Sequence, residues 1–475
     1  MSFESIQFVI FLPIVFALYW VIAPKRRWMV LLAANIVFYA YAGIGFLAIL
    51  FYVCGITFFF SQLLKKAKNR FVLAAGVTAD LLPLLFFKYT AFFQSNLNHL
   101  LNVFGSDTYF HPLQLLLPLG ISFYTLSAIA YMADSYKGKI ESHYSFLQVM
   151  TGISFFPCLI AGPIERQQRV LPQILGEQSF DYDIAVYGLK RIAFGFFKKL
   201  VIADTLAVSV NKLFSNIHEY HGLELLAAAV LFSVELYCDF SGYSDISIGI
   251  ARLFGIELME NFKSPFLSGS YDELWRKWHI SLSTWFRDYV YIPLGGSRKG
   301  KVRKALNTMV VFLVSGLWHG AAWTYVIWGG LNGVVQIAES MLPKRDFKDD
   351  NPILRVLESA AVFGTFAVLF TFFRAESVSD ALFILGHMFR EITHPAQYTG
   401  GFFDALGMTP VKLIIVIGEI LILIWYDWVS LYRDPVQVVT SKPLAVRWTI
   451  YIVFVLLIAQ LSYKGAAVEF IYAAY

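Results

Sequence analysis

Apolar residues run along this chain in long blocks, not in the short alternations of a water-soluble fold. Blocks occupy residues 6 to 22, 28 to 43, 46 to 64, 71 to 88, 113 to 133, 190 to 214, 224 to 254, 305 to 341, 355 to 373, 411 to 429 and 446 to 463. Most come close to the ~20 residues a helix needs to cross hydrocarbon. Lipid offers no hydrogen bonds to free backbone groups, so such blocks fold as helices and not as an open sheet. The pattern predicts an all-α polytopic membrane protein with about 11 spans. No long polar domain interrupts them, so residues 1–475 read as a single transmembrane domain.

Two apolar stretches are too broken to be simple spans. Residues 155 to 164 contain Pro157, Gly162 and Pro163, and residues 289 to 296 contain Pro293 and a glycine pair. Irregular backbone at membrane depth is tolerated only inside protein or beside a wet cavity, which predicts re-entrant or interfacial segments at both. No internal repeat is visible, which weakens a transporter built from inverted halves.

Composition and charge sharpen this picture. Hydrophobic residues make up 58% of the chain, charged residues only 15%, and the mean hydropathy is +0.61. Soluble domains carry roughly 25% charged residues, so the outer surface is matched to lipid. Lys25, Arg26 and Arg27 follow the first block, and Lys65, Lys66, Lys68 and Arg70 follow the third. Positive loops stay inside, which places both clusters in the cytoplasm and the N-terminus outside. The largest acid-free cluster, Arg298, Lys299, Lys301, Arg303 and Lys304, is expected there too, beside anionic lipid head groups or a phosphate-bearing substrate. Residues 1 to 7 hold Glu4 and no Lys or Arg, and no small-residue cleavage site follows, against a removable signal peptide. Cys54, Cys158 and Cys238 fit neither a metal site nor a disulfide framework and read as packing residues.

Three constellations carry chemistry. The run from Tyr237 to Asp245 places Asp239, Ser241, Ser244 and Asp245 in an otherwise apolar helix. Intramembrane acids are expensive, so they mark either a functional cavity or polar ties between helices. In the run from Trp275 to Tyr289, Trp275, Trp278, His279, Leu282 and Phe286 fall on one face of an amphipathic helix, with Arg276, Lys277, Thr284, Arg287 and Asp288 opposite. Taken alone, His279 reads as a packed interfacial histidine. The third is Ser315-Gly-Leu-Trp-His-Gly320, in which His319 lies ~20 Å along a helix from the basic cluster, near mid-membrane. A neutral imidazole there is suited to accept a proton from a hydroxyl, the alternative being a histidine that only bonds helices together. The other seven histidines are assigned no role. No nucleotide loop, zincin motif or nucleophile elbow is present.

These strings resemble a known family. The run from Tyr271 to Gly296, followed by Gly316-Leu-Trp-His-Gly320, is similar to the membrane-bound O-acyltransferases, in particular to their bacterial alginate O-acetyltransferase branch. The strings from Phe155 to Ile164 and from Asp239 to Asp245 are also similar to that branch, so the motif-bearing core covers about residues 155 to 335. The resemblance implies that His319 is the essential histidine and His279 a second one, both near a central tunnel. It implies a cytoplasmic thioester donor, most simply acetyl-CoA, and no permanently bound cofactor or metal. It further implies export of the acyl group to an extracytoplasmic partner of the SGNH type that acylates a polysaccharide, in a bacterial inner membrane.

On this reading Trp275, Trp278, Asp239, Ser241, Asp245, Arg287, Asp288 and Trp318 are expected to line the donor tunnel, and Arg298, Lys299 and Lys301 to hold the donor's phosphates. The tail at residues 465 to 475 resembles the short aromatic ending of many such proteins, with Ala473 and Ala474 departing from the commoner form. Tyr472 there is a candidate acyl relay or a membrane-edge anchor. D-alanyl transfer toward teichoic acid and a polysaccharide or lipid transporter are the competing readings. Nucleic acid is not an expected partner.

Overall fold

The computed structural model describes residues 1–140, 143–343, 351–465, 468, 470 and 471. Every described element is helical. Most predicted blocks reappear as helices with shifted ends, from Ile6–Val21 to Leu444–Leu461, but the block at 113 to 133 is helical only from Ile121 and the one at 71 to 88 runs on to Val103. Among the described residues, five helices are long and apolar enough to cross a membrane by themselves: Ile44–Lys66, Arg70–Val103, Pro352–Arg374, Pro410–Tyr432 and Leu444–Leu461. Their exposed faces are rich in large apolar side chains, among them Ile414, Trp425, Trp448 and Val455. The protein is a multi-pass membrane protein.

The chain divides into two compact units, residues 1–189 with 247–259, and residues 190–246 with 260–475. In the first, the side chain of Asn35 does the work that secondary structure cannot do at the first predicted break. Its Nδ2 donates to Thr151 O at 3.0 Å and its Oδ1 accepts from the Phe156 N–H at 2.9 Å. A buried kink thus keeps its backbone groups paired. Residues 155 to 165 form only a short helix, Phe156–Leu159, and nearly all are buried.

The second unit contains three departures from the periodicity. The block at 305 to 341 is not one span but two helices, Lys301–His319 and Trp323–Met341, separated at Gly320. They pack at minimal distance because a Cβ on Gly316 would collide with the Tyr325 carbonyl, and one on Gly329 with the Phe312 carbonyl. The expected amphipathic helix is likewise two pieces, Tyr271–Lys277 and Ile280–Phe286, because His279 adopts φ 42° and ψ 53°. That left-handed conformation is uncommon for a non-glycine residue and stops the first helix. Finally, the block at 190 to 214 contains a π-helical stretch, Phe197–Ala203, that turns Lys198 and Lys199 into the interior.

Candidate functional site

The break at His279 is held by one buried amide. Asn261 Oδ1 lies 3.1 Å from His279 Nδ1 and accepts from Ser281 Oγ at 2.9 Å, while Asn261 Nδ2 donates to Ser244 Oγ at 2.9 Å. The Ile280 N–H donates to the Asn261 carbonyl at 2.8 Å, so the imidazole and the chain that follows it are tied to one residue. With its own carbonyl-like oxygen toward Nδ1, Asn261 favours the tautomer that carries its proton there. Nε2 is then a bare acceptor, buried and without a hydrogen-bond partner among the described residues. His279 is 1% exposed, and burial pushes its pKa down to about 3, so the ring is neutral at any physiological pH.

His319 is the last residue of Lys301–His319 and sits in a box of aromatic rings. Its centroid lies 4.9 Å from Trp318, 5.1 Å from Trp328 and 5.3 Å from Phe373, the last two edge-on. Trp318 also reaches the other histidine, at 6.2 Å. Phe366, Phe370 and Phe373 form a stacked column behind the box, with centroids 3.8 and 5.4 Å apart. Aromatic packing on three sides fixes the imidazole's orientation and keeps bulk water away.

Both histidines open on one cavity of about 860 Å³ in this unit. Trp275, Trp278 and Arg287 line it as well, as the sequence leads one to expect. The basic cluster is represented by Lys304, not by Arg298, Lys299 or Lys301, which do not line it. Lys304, Thr308, Val311, Ser315 and His319 all face the cavity at helical spacings of three and four, so the cationic end and the imidazole share one helix face. With Arg287 and Lys304, Arg276 makes a third cation, and Asp272, Glu339 and Glu358 add carboxylates to the lining. Such a chamber, aromatic around two imidazoles and charged elsewhere, suits a long polyphosphate-bearing molecule with a small reactive end.

The acids of the long helix Leu223–Leu253 lie elsewhere. Asp245, expected in the tunnel wall, is paired with Lys198 Nζ at 2.5 Å and Arg191 at 2.8 Å, and Arg191 also bonds Glu260. Ser241 accepts from Lys198 Nζ at 2.9 Å, and Asp239 pairs with Lys199 at 2.9 Å, which in turn pairs with Asp204 at 2.7 Å. None of Asp239, Ser241 or Asp245 lines the cavity. The lysines that neutralise them come from the π-helical stretch, a geometry that regular spacing cannot predict. Asp288 bonds its neighbour Arg287 at 2.9 Å and is likewise absent from the lining. Tyr472 lies outside the described residues. No group of three or more His, Cys, Asp or Glu side chains is arranged to hold a metal ion among the described residues.

Asn261, Trp328 and Phe373 carry as much of the site's geometry as any anticipated residue. Nothing in the local pattern singles them out, because each meets its histidine from a different element of the chain.

Comparison with known proteins is consistent along the chain. Residues 113–345 match the family model of the membrane-bound O-acyltransferases. The chain is 34% identical to a probable alginate O-acetylase AlgI of Pseudomonas putida, over 97% of this chain and 98% of that protein. It is 34% identical to a peptidoglycan O-acetyltransferase of Helicobacter pylori, over 80% of this chain and 77% of that one. A teichoic acid D-alanyltransferase of Bacillus subtilis is 28% identical over 59% of this chain and 71% of its own length.

Proposed function

The chain belongs to the membrane-bound O-acyltransferase family and is an O-acyltransferase, and from that premise we propose that it takes an acetyl group from cytoplasmic acetyl-CoA and passes it across a bacterial inner membrane toward a polysaccharide hydroxyl. The observation that carries this reading is that His279 and His319 share one cavity with Lys304, Arg276 and Arg287. The cations pair with the donor's phosphates, since charge-assisted bonds from Arg and Lys are the natural partners of phosphate. Trp275 and Trp278 shape the path of the pantetheine arm.

At the inner end His319 acts as general base. It takes the proton of the acceptor hydroxyl as that oxygen forms a bond to the thioester carbonyl carbon. The C–S bond then breaks, and the proton passes on to the leaving thiolate. His279, neutral and with Nε2 bare, accepts a hydrogen bond from the acceptor or donor and orients it. The acceptor approaches from outside, and an SGNH-type partner places the acetyl group on the polymer. The phenol of Tyr472 is a candidate first acceptor. The N-terminus lies outside, in keeping with the positive clusters after the first and third spans.

The experiment is a thioester assay with purified protein in lipid, comparing acetyl-CoA with a D-alanyl carrier protein. Turnover of acetyl-CoA alone is expected. Turnover of the carrier thioester alone would replace acetyl by D-alanyl transfer, the activity named for the Bacillus subtilis relative.

A further inference from the structure

One of the buried acids that does not line the cavity, Asp239, has a further partner in the segment that follows Leu444–Leu461. After Leu444–Leu461 the backbone is first caught by the Tyr463 N–H donating to the Leu200 carbonyl at 3.0 Å. Lys199 Nζ then donates to the Val468 carbonyl at 3.3 Å, and the Ile471 N–H donates to Asp239 Oδ2 at 2.9 Å. Lys199 and Asp239 are themselves paired, and both are at most 2% exposed. One ion pair therefore reads one carbonyl and one amide of this segment, which is how a charged pair recognises backbone irrespective of side chain.

Between those two anchors Phe470 is 8% exposed. Its ring lies 4.6 Å from Tyr243 and 6.0 Å from Phe240, and Phe240 meets His279 edge-on at 4.6 Å. The segment thus supplies one layer of the wall behind the catalytic imidazole.

We propose that the Lys199–Asp239 pair is a docking site for the chain's own C-terminal segment and, through Phe470 and Phe240, a positioning element for His279. A buried carboxylate that loses a partner is costly, which is why the docked state is the stable one. The docking half stands independently of the acyl-transfer reading. The positioning half rests on it, because it takes His279 to be part of the reaction centre.

The test uses the full chain and a carboxypeptidase that accepts proline, with intact-mass readout. In the wild type, trimming is expected to halt before Phe470. Ile471→Pro removes the N–H that Asp239 accepts together with a side chain packed on the apolar core, and Asp239→Asn removes the acceptor's charge. Both are expected to let trimming proceed to the end of Leu444–Leu461. Ile471→Pro lies outside every membrane helix, so it keeps the test open if Asp239→Asn does not fold. Turnover by Ile471→Pro is expected to fall on the order of tenfold in kcat with KM for acetyl-CoA and melting temperature unchanged, and Ile471→Val to restore it. Wild-type protein trimmed freely to that helix would overturn docking. Longer trimming of Ile471→Pro with unaltered kcat would overturn positioning while leaving docking in place. Should the protein turn over no thioester at all, the protection pattern still decides docking.

Discussion

Two polar regions lie within the same unit of this protein, and they are built on opposite principles. In the layer of Arg191, Lys198 and Lys199, each charge meets a countercharge: Lys198 with Asp245, Lys199 with Asp204 and Asp239, Arg191 with Asp245 and Glu260. Around the cavity the lining mixes charged side chains such as Lys304, Arg276 and Glu339 with two imidazoles, and Nε2 of His279 is left without a hydrogen-bond partner among the described residues. Inside a membrane both arrangements are expensive, but for different reasons. A closed ion-pair layer offsets desolvation by mutual attraction, whereas an unsatisfied acceptor is tolerated where something else is meant to bind. The lesson is that intramembrane charge density alone does not locate chemistry; a cavity that an unsatisfied acceptor opens on does.

Changes that break the closed layer should cost folding, and changes around the cavity should cost turnover. Lys198→Met removes the cation that pairs with Asp245 and donates to Ser241. We expect a loss of about 3–5 kcal/mol, read as a large drop in melting temperature in detergent. Asn261→Ala deletes the shared acceptor of His279 and Ser281. The expected stability loss is smaller, about 1–3 kcal/mol, with a fall in kcat that exceeds any change in KM.

The pH dependence comes next in size. His279 is pushed down to about 3 in the folded protein, against an unperturbed 6.5. Between those values the unfolded chain binds the extra proton, so this residue's contribution to stability rises with pH over that interval and is complete above it. Its slope is at most about 1.4 kcal/mol per pH unit. The slope should be absent from the denaturation profile of His279→Gln, and an unchanged profile would show that the ring is solvated. Smallest of all, Lys304→Ala should raise KM for acetyl-CoA by less than about tenfold and leave melting unchanged, as expected for one cation among several.

Much of the fold was legible in the chain, and less of the site. Long apolar blocks need only a solvent and a length, so helix positions such as Ile44–Lys66 and Pro410–Tyr432 follow from composition. Gly320 and His279 escaped, because a glycine in extended conformation and a histidine in left-handed conformation interrupt helical periodicity without any proline to mark them. His319 was visible through its flanking glycines and its distance from the basic cluster. The role of Lys304 was latent in the four-residue ladder from Lys304 to His319. Asp239 and Asp245 do not line the cavity, for a physical reason: their lysine partners come from a π-helical stretch, whose register departs from the regular helix on which any spacing argument rests.

The most direct test concerns the His319 imidazole. Purified His319→Ala protein, reconstituted in lipid and given acetyl-CoA labelled in the acetyl group, should keep the wild-type melting temperature and lose on the order of 10² to 10⁴ in transfer rate. Transfer at the wild-type rate by that folded variant would contradict the assignment of His319 as the base.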